Sequence, residues 1–298
     1  MSRNGNVMVR HLAKTGLLAA VLALGAISAA RAQQPMALNS QPAGASGWNF
    51  NIAPYIWTAT INSGFTLNLP PQLGGTVSAD SSIGFGDLVS HLHFAAMVTG
   101  EARYDRFQLL TDYIYLSVGG GNSHLRSVNF PNHPRIPISG TVERHVGLNL
   151  TASIWTLAGG YTLVQGDWGE LDAIAGFRFL GISPTIDYNL ALTITGPRGN
   201  GATFGGNGSV SGSADIWNGI GGFRGHVKVG DWGLFVPFYF DAGAGGSRLT
   251  WQISSGIGYH ASWADLSLTY RYLTFQQGSG VVDHLSVRGP LLMASFPF

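Results

Sequence analysis

Residues 92–115 read LHFAAMVTGEARYDRFQLLTDYIY. On either side of Asp105-Arg106, residues of one parity are mostly apolar and the other parity includes the charged side chains, a period of two that is typical of β-strands. Only two residues separate the strand-like segments, which suits a tight hairpin turn. The stretch therefore predicts two antiparallel strands, each with one apolar face and one face that carries charge.

The same pattern continues along the chain, and we expect about ten strands between Trp48 and Phe298, or about twelve as the alternative. The connections alternate in length, and the long ones, rich in Gly, Ser, Asn and Pro, lie at 61–91, 118–140 and 183–213. Outer-membrane barrels have short periplasmic turns and long outer loops. The sequence therefore predicts an all-β fold, a closed antiparallel transmembrane β-barrel. A secreted β-sandwich does not sort its turns by length so regularly.

The short connections share a second feature, an aromatic residue beside the turn. GDWGE at 166–170 and GDWGL at 230–234 are near-identical, and each leads into a strand-like segment. Aromatic residues ring such barrels where the lipid headgroups begin. We expect a periplasmic aromatic girdle made of Phe107, Trp168, Trp232, Trp263 and Phe298. The expected lipid-facing residues of the strands are Phe94, Leu109, Leu234, Phe238, Leu268 and Tyr270.

The N-terminal residues predict export from the cytoplasm. Arg3, Arg10 and Lys14 precede an apolar run at 16–27, which is too short to span a bilayer. Ala30-Arg31-Ala32 has the small-x-small spacing of a signal-peptide cleavage site. The predicted organisation is a signal peptide at 1–32, a periplasmic N-terminal segment at 33–47 and the barrel at 48–298.

Composition argues against several kinds of function. The chain has no cysteine, which excludes disulfides and thiolate metal sites. After residue 32, Lys228 is the one lysine and acidic residues outnumber basic ones, which argues against a nucleic-acid partner. GGNGS at 205–209 and GAGGS at 243–247 are glycine-rich, but neither precedes a helix that would cradle a phosphate. We expect no cofactor.

The strand faces opposite the apolar ones carry charges that we expect inside the barrel. Counted from the predicted turns, five of them lie at similar heights and predict a charge layer near mid-membrane, formed by Glu101, Asp112, Asp172, Arg224 and Arg271. Further charges in the lumen are Arg103, Arg178, Lys228 and Asp241. A small barrel is filled by its own side chains, and buried charges persist only when they are paired. These charges predict an ionic plug.

Two other functions stay open beside a plugged barrel with a structural or surface-interaction role. One is a narrow channel or transporter for ions or small solutes, and the other is a barrel enzyme that acts on lipid or peptide. GDLVSHL at 86–92 predicts a short helix, after which His91 and His93 share a parity, but no third metal ligand is evident. We expect no catalytic site and no metal site.

The chain ends LLMASFPF, in which apolar residues alternate up to the terminal Phe298. This end resembles the signal read by the barrel-assembly machinery of Gram-negative bacteria. Together with APYIWTATINSG at 53–64, AGGYTL at 158–163 and LTYRYL at 268–273, it resembles a widespread family of uncharacterised proteobacterial outer-membrane β-barrel proteins. The resemblance implies an outer-membrane barrel. With the predicted signal peptide, we expect Sec-type export to the cell outer membrane, with outer-membrane lipid and lipopolysaccharide as partners. It implies no known activity.

We predict that deletion of Phe298 leaves a protein that is exported but inserts poorly, because the terminal aromatic residue would be missing from the assembly signal. The measurement is the amount of heat-modifiable barrel in the outer-membrane fraction. Removal of one residue from the 230–233 turn is the control for shortening the chain. A normal level of folded barrel in the Phe298 deletion would contradict the prediction.

Overall fold

The computed structural model describes residues 47–68, 76–122, 124–129, 147–195, 201–277 and 282–298. The predicted signal peptide and nearly all of the predicted periplasmic segment lie outside these ranges. No helix among the described residues is long and apolar enough to cross a membrane.

The described residues form strands and one short helix, and the predicted helix at 86–92 agrees with α1, Phe85–His91. The strands are β1 (Trp48–Trp57), β2 (Thr60–Asn68), β3 (Thr76–Ile83), β4 (Leu92–Tyr104), β5 (Phe107–Asn122), β6 (His124–Asn129), β7 (Gly147–Gly166), β8 (Gly169–Thr195), β9 (Gly201–Ser211), β10 (Ala214–Val229), β11 (Leu234–Gly245), β12 (Leu249–His260), β13 (Asp265–Gln276) and β14 (Val282–Pro297).

Ten of the described strands form a closed antiparallel barrel, in the order β1-β4-β5-β7-β8-β10-β11-β12-β13-β14. The barrel closes because β14 pairs with β1, with Asn51 opposite Pro297. Phe50 and Phe298 exchange backbone hydrogen bonds of 3.1 and 2.9 Å at this seam. The predicted fold class and the prediction of ten strands are confirmed.

The long connections contain further strands, which corrects the expectation of irregular loops there. β2 continues β1 along β14, β3 pairs with β2, and β6 pairs with β3. On another side, β8 runs beyond the barrel and pairs with β9. Frequent Gly and Ser weaken the apolar alternation in these stretches, whereas backbone pairing needs only N–H and C=O groups. The sequence pattern therefore understates how far the strands extend.

The two near-identical pentapeptides form turns of different length. In GDWGE, β7 ends at Gly166 and β8 begins at Gly169, so Asp167 and Trp168 form a two-residue turn. In GDWGL the turn occupies residues 230–233. Gly230 and Gly233 have φ values of 63° and 74°, which side chains other than glycine rarely adopt. The flanking pairings therefore decide the turn, and the shared motif does not.

The outer surface of the barrel is apolar and the inner surface carries the charges. On β11, Phe240 is 45% exposed whereas the next residue, Asp241, is fully buried. Leu234 and Phe238 share the parity of Phe240 and therefore face outward. The other residues expected to face lipid are all more than half exposed: Phe94, Leu109, Leu268 and Tyr270.

We predict that Phe238→Arg lowers the free energy of unfolding by about 2–4 kcal/mol, because it places a charge near the middle of the apolar band. Leu234→Arg is the matched control at the first residue of the same strand, where the cost is about 0–1 kcal/mol near the headgroups. Reversible unfolding of both variants in lipid vesicles measures the difference. Equal losses for the two variants would contradict the assigned depth of Phe238.

Candidate functional site

The charged residues of the lumen form two hydrogen-bonded groups. The first, here called the periplasmic cluster, contains Glu101, Arg103, Glu170, Asp172 and Arg224. Arg103 is its centre, since its guanidinium donates to Glu101 at 3.0 Å, to both carboxylate oxygens of Glu170 at 3.0 and 3.1 Å, and to Asp172 at 3.2 Å. Arg224 donates to Glu101 at 2.9 Å. The cluster links strands β4, β8 and β10 across the lumen.

Asp172 shows how completely this cluster is satisfied. Its side chain is fully buried, and besides Arg103 it accepts a hydrogen bond of 2.7 Å from the hydroxyl of Thr162. The Thr162 hydroxyl in turn accepts from Arg103 at 3.0 Å. A buried carboxylate is stable only when its charge and its lone pairs both have partners. The periplasmic cluster provides both.

The second group, here called the central cluster, contains Tyr55, Asp112, Arg178, Asp241, Gln252 and Arg271. Arg271 donates to Asp112 at 2.6 Å and to the Gln252 carbonyl oxygen at 2.8 Å. The same oxygen accepts from Arg178 at 3.3 Å. Both Nη atoms of Arg178 also pair with the two carboxylate oxygens of Asp241. Tyr55 joins the cluster by donating to Asp112 at 2.6 Å and accepting from Arg271 at 3.2 Å.

Burial in the central cluster is extreme for charged groups. Arg178 and Asp241 are both 0% exposed, and Arg271 is 4% exposed. The remaining donors of Arg178 reach the hydroxyls of Thr156 at 3.2 Å and Thr250 at 3.3 Å. Because the six members come from β1, β5, β8, β11, β12 and β13, the cluster crosses the lumen from one wall to the other.

The single layer expected from the sequence is divided between these two clusters. Glu101, Asp172 and Arg224 lie in the periplasmic cluster with Arg103, whereas Asp112 and Arg271 lie in the central cluster with Arg178 and Asp241. Lys228, next to the end of β10, is partly exposed.

Glu170 is a cluster member that the sequence reasoning missed, because it belongs to the GDWGE turn motif. Its parity, shared with Asp172, is the signal that would have placed it inside the barrel.

Above the central cluster the interior is apolar, which departs from the expectation of a polar lumen. Trp57 marks the boundary: its ring stacks on the Arg271 guanidinium at 4.8 Å, and its indole N–H donates to the Gly289 carbonyl at 3.1 Å. Beyond it, thirteen apolar residues line a common cavity. The sequence of β5 did indicate an apolar interior, because Ile114 and Leu116 lie on the inward parity and both faces of the strand are therefore apolar there.

The residues expected in the aromatic girdle lie in the short turns or at the strand ends on the same side of the barrel. Their exposed fractions are all high, from 47% for Trp168 to 79% for Trp232, with Phe107, Trp263 and Phe298 between them. At the same end, the ring centres of Trp48 and Tyr104 are 5.2 Å apart, and those of Phe107 and Tyr161 are 5.1 Å apart. These three further aromatic residues, Trp48, Tyr104 and Tyr161, were not expected from the turn motifs.

Helix α1 carries the side chains closest to a catalytic or metal arrangement. The Ser90 hydroxyl lies 3.0 Å from His91 Nδ1, but it donates to the Asp87 carbonyl at 2.9 Å. His91 Nδ1 lies 2.8 Å from the same carbonyl, which only accepts, so this nitrogen carries a proton and is not a base for Ser90. Within the described ranges, no group of three His, Asp or Glu side chains is placed to hold a metal ion.

A closed antiparallel barrel with an apolar outer surface and an ion-paired interior defines an outer-membrane β-barrel. The protein therefore belongs in the outer membrane of Gram-negative bacteria. A strand edge in a membrane cannot be exposed to lipid. The pairing of β14 with β1 removes that edge at the periplasmic end of the barrel.

Comparison with known proteins adds similarity at the level of this general class. No protein-family model and no curated protein matches the chain, so the family resemblance noted above has no match in sequence.

Among solved structures, the transport unit of the autotransporter AIDA-I from Escherichia coli is 12% identical, with 88% of this chain and 93% of that one covered and a TM-score of 0.38. The toluene transporter TbuX of Ralstonia pickettii is 11% identical, with 85% and 72% covered and a TM-score of 0.35. The attachment invasion locus protein Ail of Yersinia pestis is 8% identical, with 85% and 99% covered and a TM-score of 0.30. Similarity this low carries no argument about function.

We predict that Asp241→Ala lowers the free energy of unfolding by about 3–5 kcal/mol, because Arg178 would stay buried without its carboxylate. Adding Arg178→Met removes the unpaired charge and should recover most of that loss. Urea unfolding, followed by tryptophan fluorescence, measures both variants. A double variant as unstable as Asp241→Ala alone would show that the pairing is not what Asp241 contributes.

Proposed function

We propose that this protein is a sealed outer-membrane barrel with a structural or surface-interaction role, which presents its outer strands and loops without conducting ions. One observation carries the proposal: the central cluster crosses the lumen, and its Arg178–Asp241 pair is fully buried. A path that conducts ions is filled with water, so the groups that line it are exposed to water. A guanidinium and a carboxylate with no exposed surface therefore argue for a plug.

Barrel size supports the same interpretation. Barrels of about eight strands are filled by side chains, whereas aqueous channels need about 16 strands. With ten strands in the closed ring of the described structure, the cross-section is near the filled end of this range. The side chains that fill it are paired ions rather than apolar groups. The plug also fixes the relative positions of strands that are distant in sequence.

The strands that extend beyond the barrel support a role at the cell surface. β8 has 27 residues. At ~2.5 Å of height per tilted residue it is longer than twice the ~25 Å apolar band. It pairs with β9 over the outer part of its length, and β2, β3 and β6 extend another side of the wall. These strands form a platform above the membrane on which a partner would bind.

Bilayer conductance together with stability separates the plug from a narrow channel, the second candidate. We predict that the wild-type protein gives no single-channel currents in planar bilayers. Arg271→Ala should lose about 3–5 kcal/mol of stability, because the largely buried Asp112 carboxylate would lose the cation that pairs with it.

Arg248→Ala removes an exposed arginine from β12's outer connection and is the matched control, with a change within about 0.5 kcal/mol. Unchanged stability of Arg271→Ala, together with ion-selective currents in the wild type, would overturn the plug and favour the channel. That outcome would mean that the lumen groups are already hydrated.

A further inference from the structure

We propose that the outer half of the lumen is a binding chamber for the acyl chain of an outer-leaflet lipid, which enters through a lateral window in the barrel wall between β1 and β4. The described residues that line the chamber are all apolar, among them Trp57, Leu88, Met97, Leu150, Ala152 and Leu285. A lining without polar groups selects a ligand portion that is pure hydrocarbon, because a polar group inside it would lose its hydrogen bonds to water.

The window is a gap in the pairing of the closed wall. The register of β1 with β4 ends at Pro54 opposite Val98, although β1 continues to Trp57 and β4 continues to Leu92. Further from the periplasm, β2 follows β1 along β14. The first pair of β2 on the side away from β14 joins Ile61 to Ile83, the last residue of β3. Within the described strands, the window therefore lies between these two pairings.

The height of the window places it at the outer leaflet. Val98 lies six residues above Tyr104, the last residue of β4 before the turn. At ~2.5 Å of height per tilted residue, the lower edge of the window is about 15 Å above the periplasmic end of an apolar band of ~25 Å. The molecules next to such a window are outer-leaflet lipids, whose acyl chains are hydrocarbon.

Window and chamber are connected through shared residues. Trp57 belongs to the β1 edge of the window and Met97 to the β4 edge, and both side chains line the chamber. At the outer end, Leu88 of α1 is 4% exposed and also lines it. At the inner end, Trp57 rests on Arg271, so the charged central cluster forms the floor. An acyl chain that enters from the side stops at this floor.

The chamber has room to adapt. The cavity that remains between the side chains is about 40 Å³, so the lining must move outward to take an acyl segment. Met97 is unbranched and has three rotatable bonds, and it is the kind of side chain that adjusts to irregular ligands. Leu88 lies on a helix of seven residues, which makes few hydrogen bonds of its own. Filling the cavity would add dispersion contacts that its lining now lacks.

Trp57 makes the proposal measurable. It is 2% exposed inside the barrel, whereas the other seven tryptophans lie on outward-facing or turn positions. In vesicles of phosphatidylcholine with brominated acyl chains, the outward tryptophans are quenched in any case. The emission of Trp57 itself is obtained by subtracting the spectrum of Trp57→Phe from that of the wild type. We expect this emission to fall several-fold relative to vesicles without bromine.

Two variants of β7 provide matched controls. Ala152→Leu fills the chamber and should restore the Trp57 emission, measured against the same variant with Trp57→Phe. Ser153→Leu enlarges the neighbouring, outward-facing residue and should leave the quenching as in the wild type. Trp57 emission that brominated acyl chains do not quench in the wild type would overturn the proposal. Quenching of Trp57 by bromobenzene, added to vesicles without brominated lipid, together with no quenching by brominated acyl chains would assign the chamber to free hydrocarbons. That result would overturn the acyl-chain assignment.

A second measurement needs no variant and covers the case in which Trp57→Phe fails to fold. Crystals of the wild-type protein grown with brominated phosphatidylcholine should show anomalous bromine density between Met97, Leu88 and Ala152. Bromine density confined to the outer surface would overturn the proposal. The chamber proposal does not depend on the plug. A barrel that conducts ions but has a quenched Trp57 would refute the sealed lumen and would still support the chamber.

Discussion

The structure depends on one constraint, that every backbone N–H and C=O in the hydrocarbon must be paired within the protein. The chain meets it by closing β14 onto β1, with Phe50 and Phe298 joined at the periplasmic end of the seam. Closure has a second consequence: each strand must turn half of its side chains into an enclosed lumen. Charges placed there have little access to bulk water, so they find partners on other strands.

The lumen is therefore organised in layers along its axis. Ion pairs occupy the periplasmic and central parts, where every guanidinium contacts at least one carboxylate. Trp57 joins this charged region to the apolar chamber, because one face of an indole attracts a cation while the ring itself is apolar. Its N–H is satisfied by Gly289. A single side chain thus lies between two different environments, although the buried Nε–H of Arg271 beneath it has no hydrogen-bond partner among the described residues.

The barrel could be predicted from the sequence, but the arrangement within the lumen could not. Alternation in residues 92–115 is local, so β4, its turn and the start of β5 were found. β5 itself extends to Asn122, into the stretch that was expected to be a loop. The height of a charge depends on strand tilt and on the stagger between strands, which no local pattern contains. Counting from the turns therefore put Asp112 and Asp172 at one level, although they belong to different clusters. The two near-identical GDWG motifs form turns of two and four residues, so heights counted from these motifs are not comparable.

The same constraint explains why the window lies where it does. Irregular backbone is tolerated at membrane depth only where it is buried in protein or lines a cavity. The pairing of β1 with β4 ends beside the apolar chamber, and α1 and β3 occupy the sequence between β2 and β4 at its outer edge. A gap lower in the wall would expose the ion pairs of the two clusters to lipid, at a cost that the barrel could not offset. The interruption starts level with Tyr55 at the upper side of the central cluster, and from Trp57 outward the lumen behind it is as apolar as the membrane in front of it.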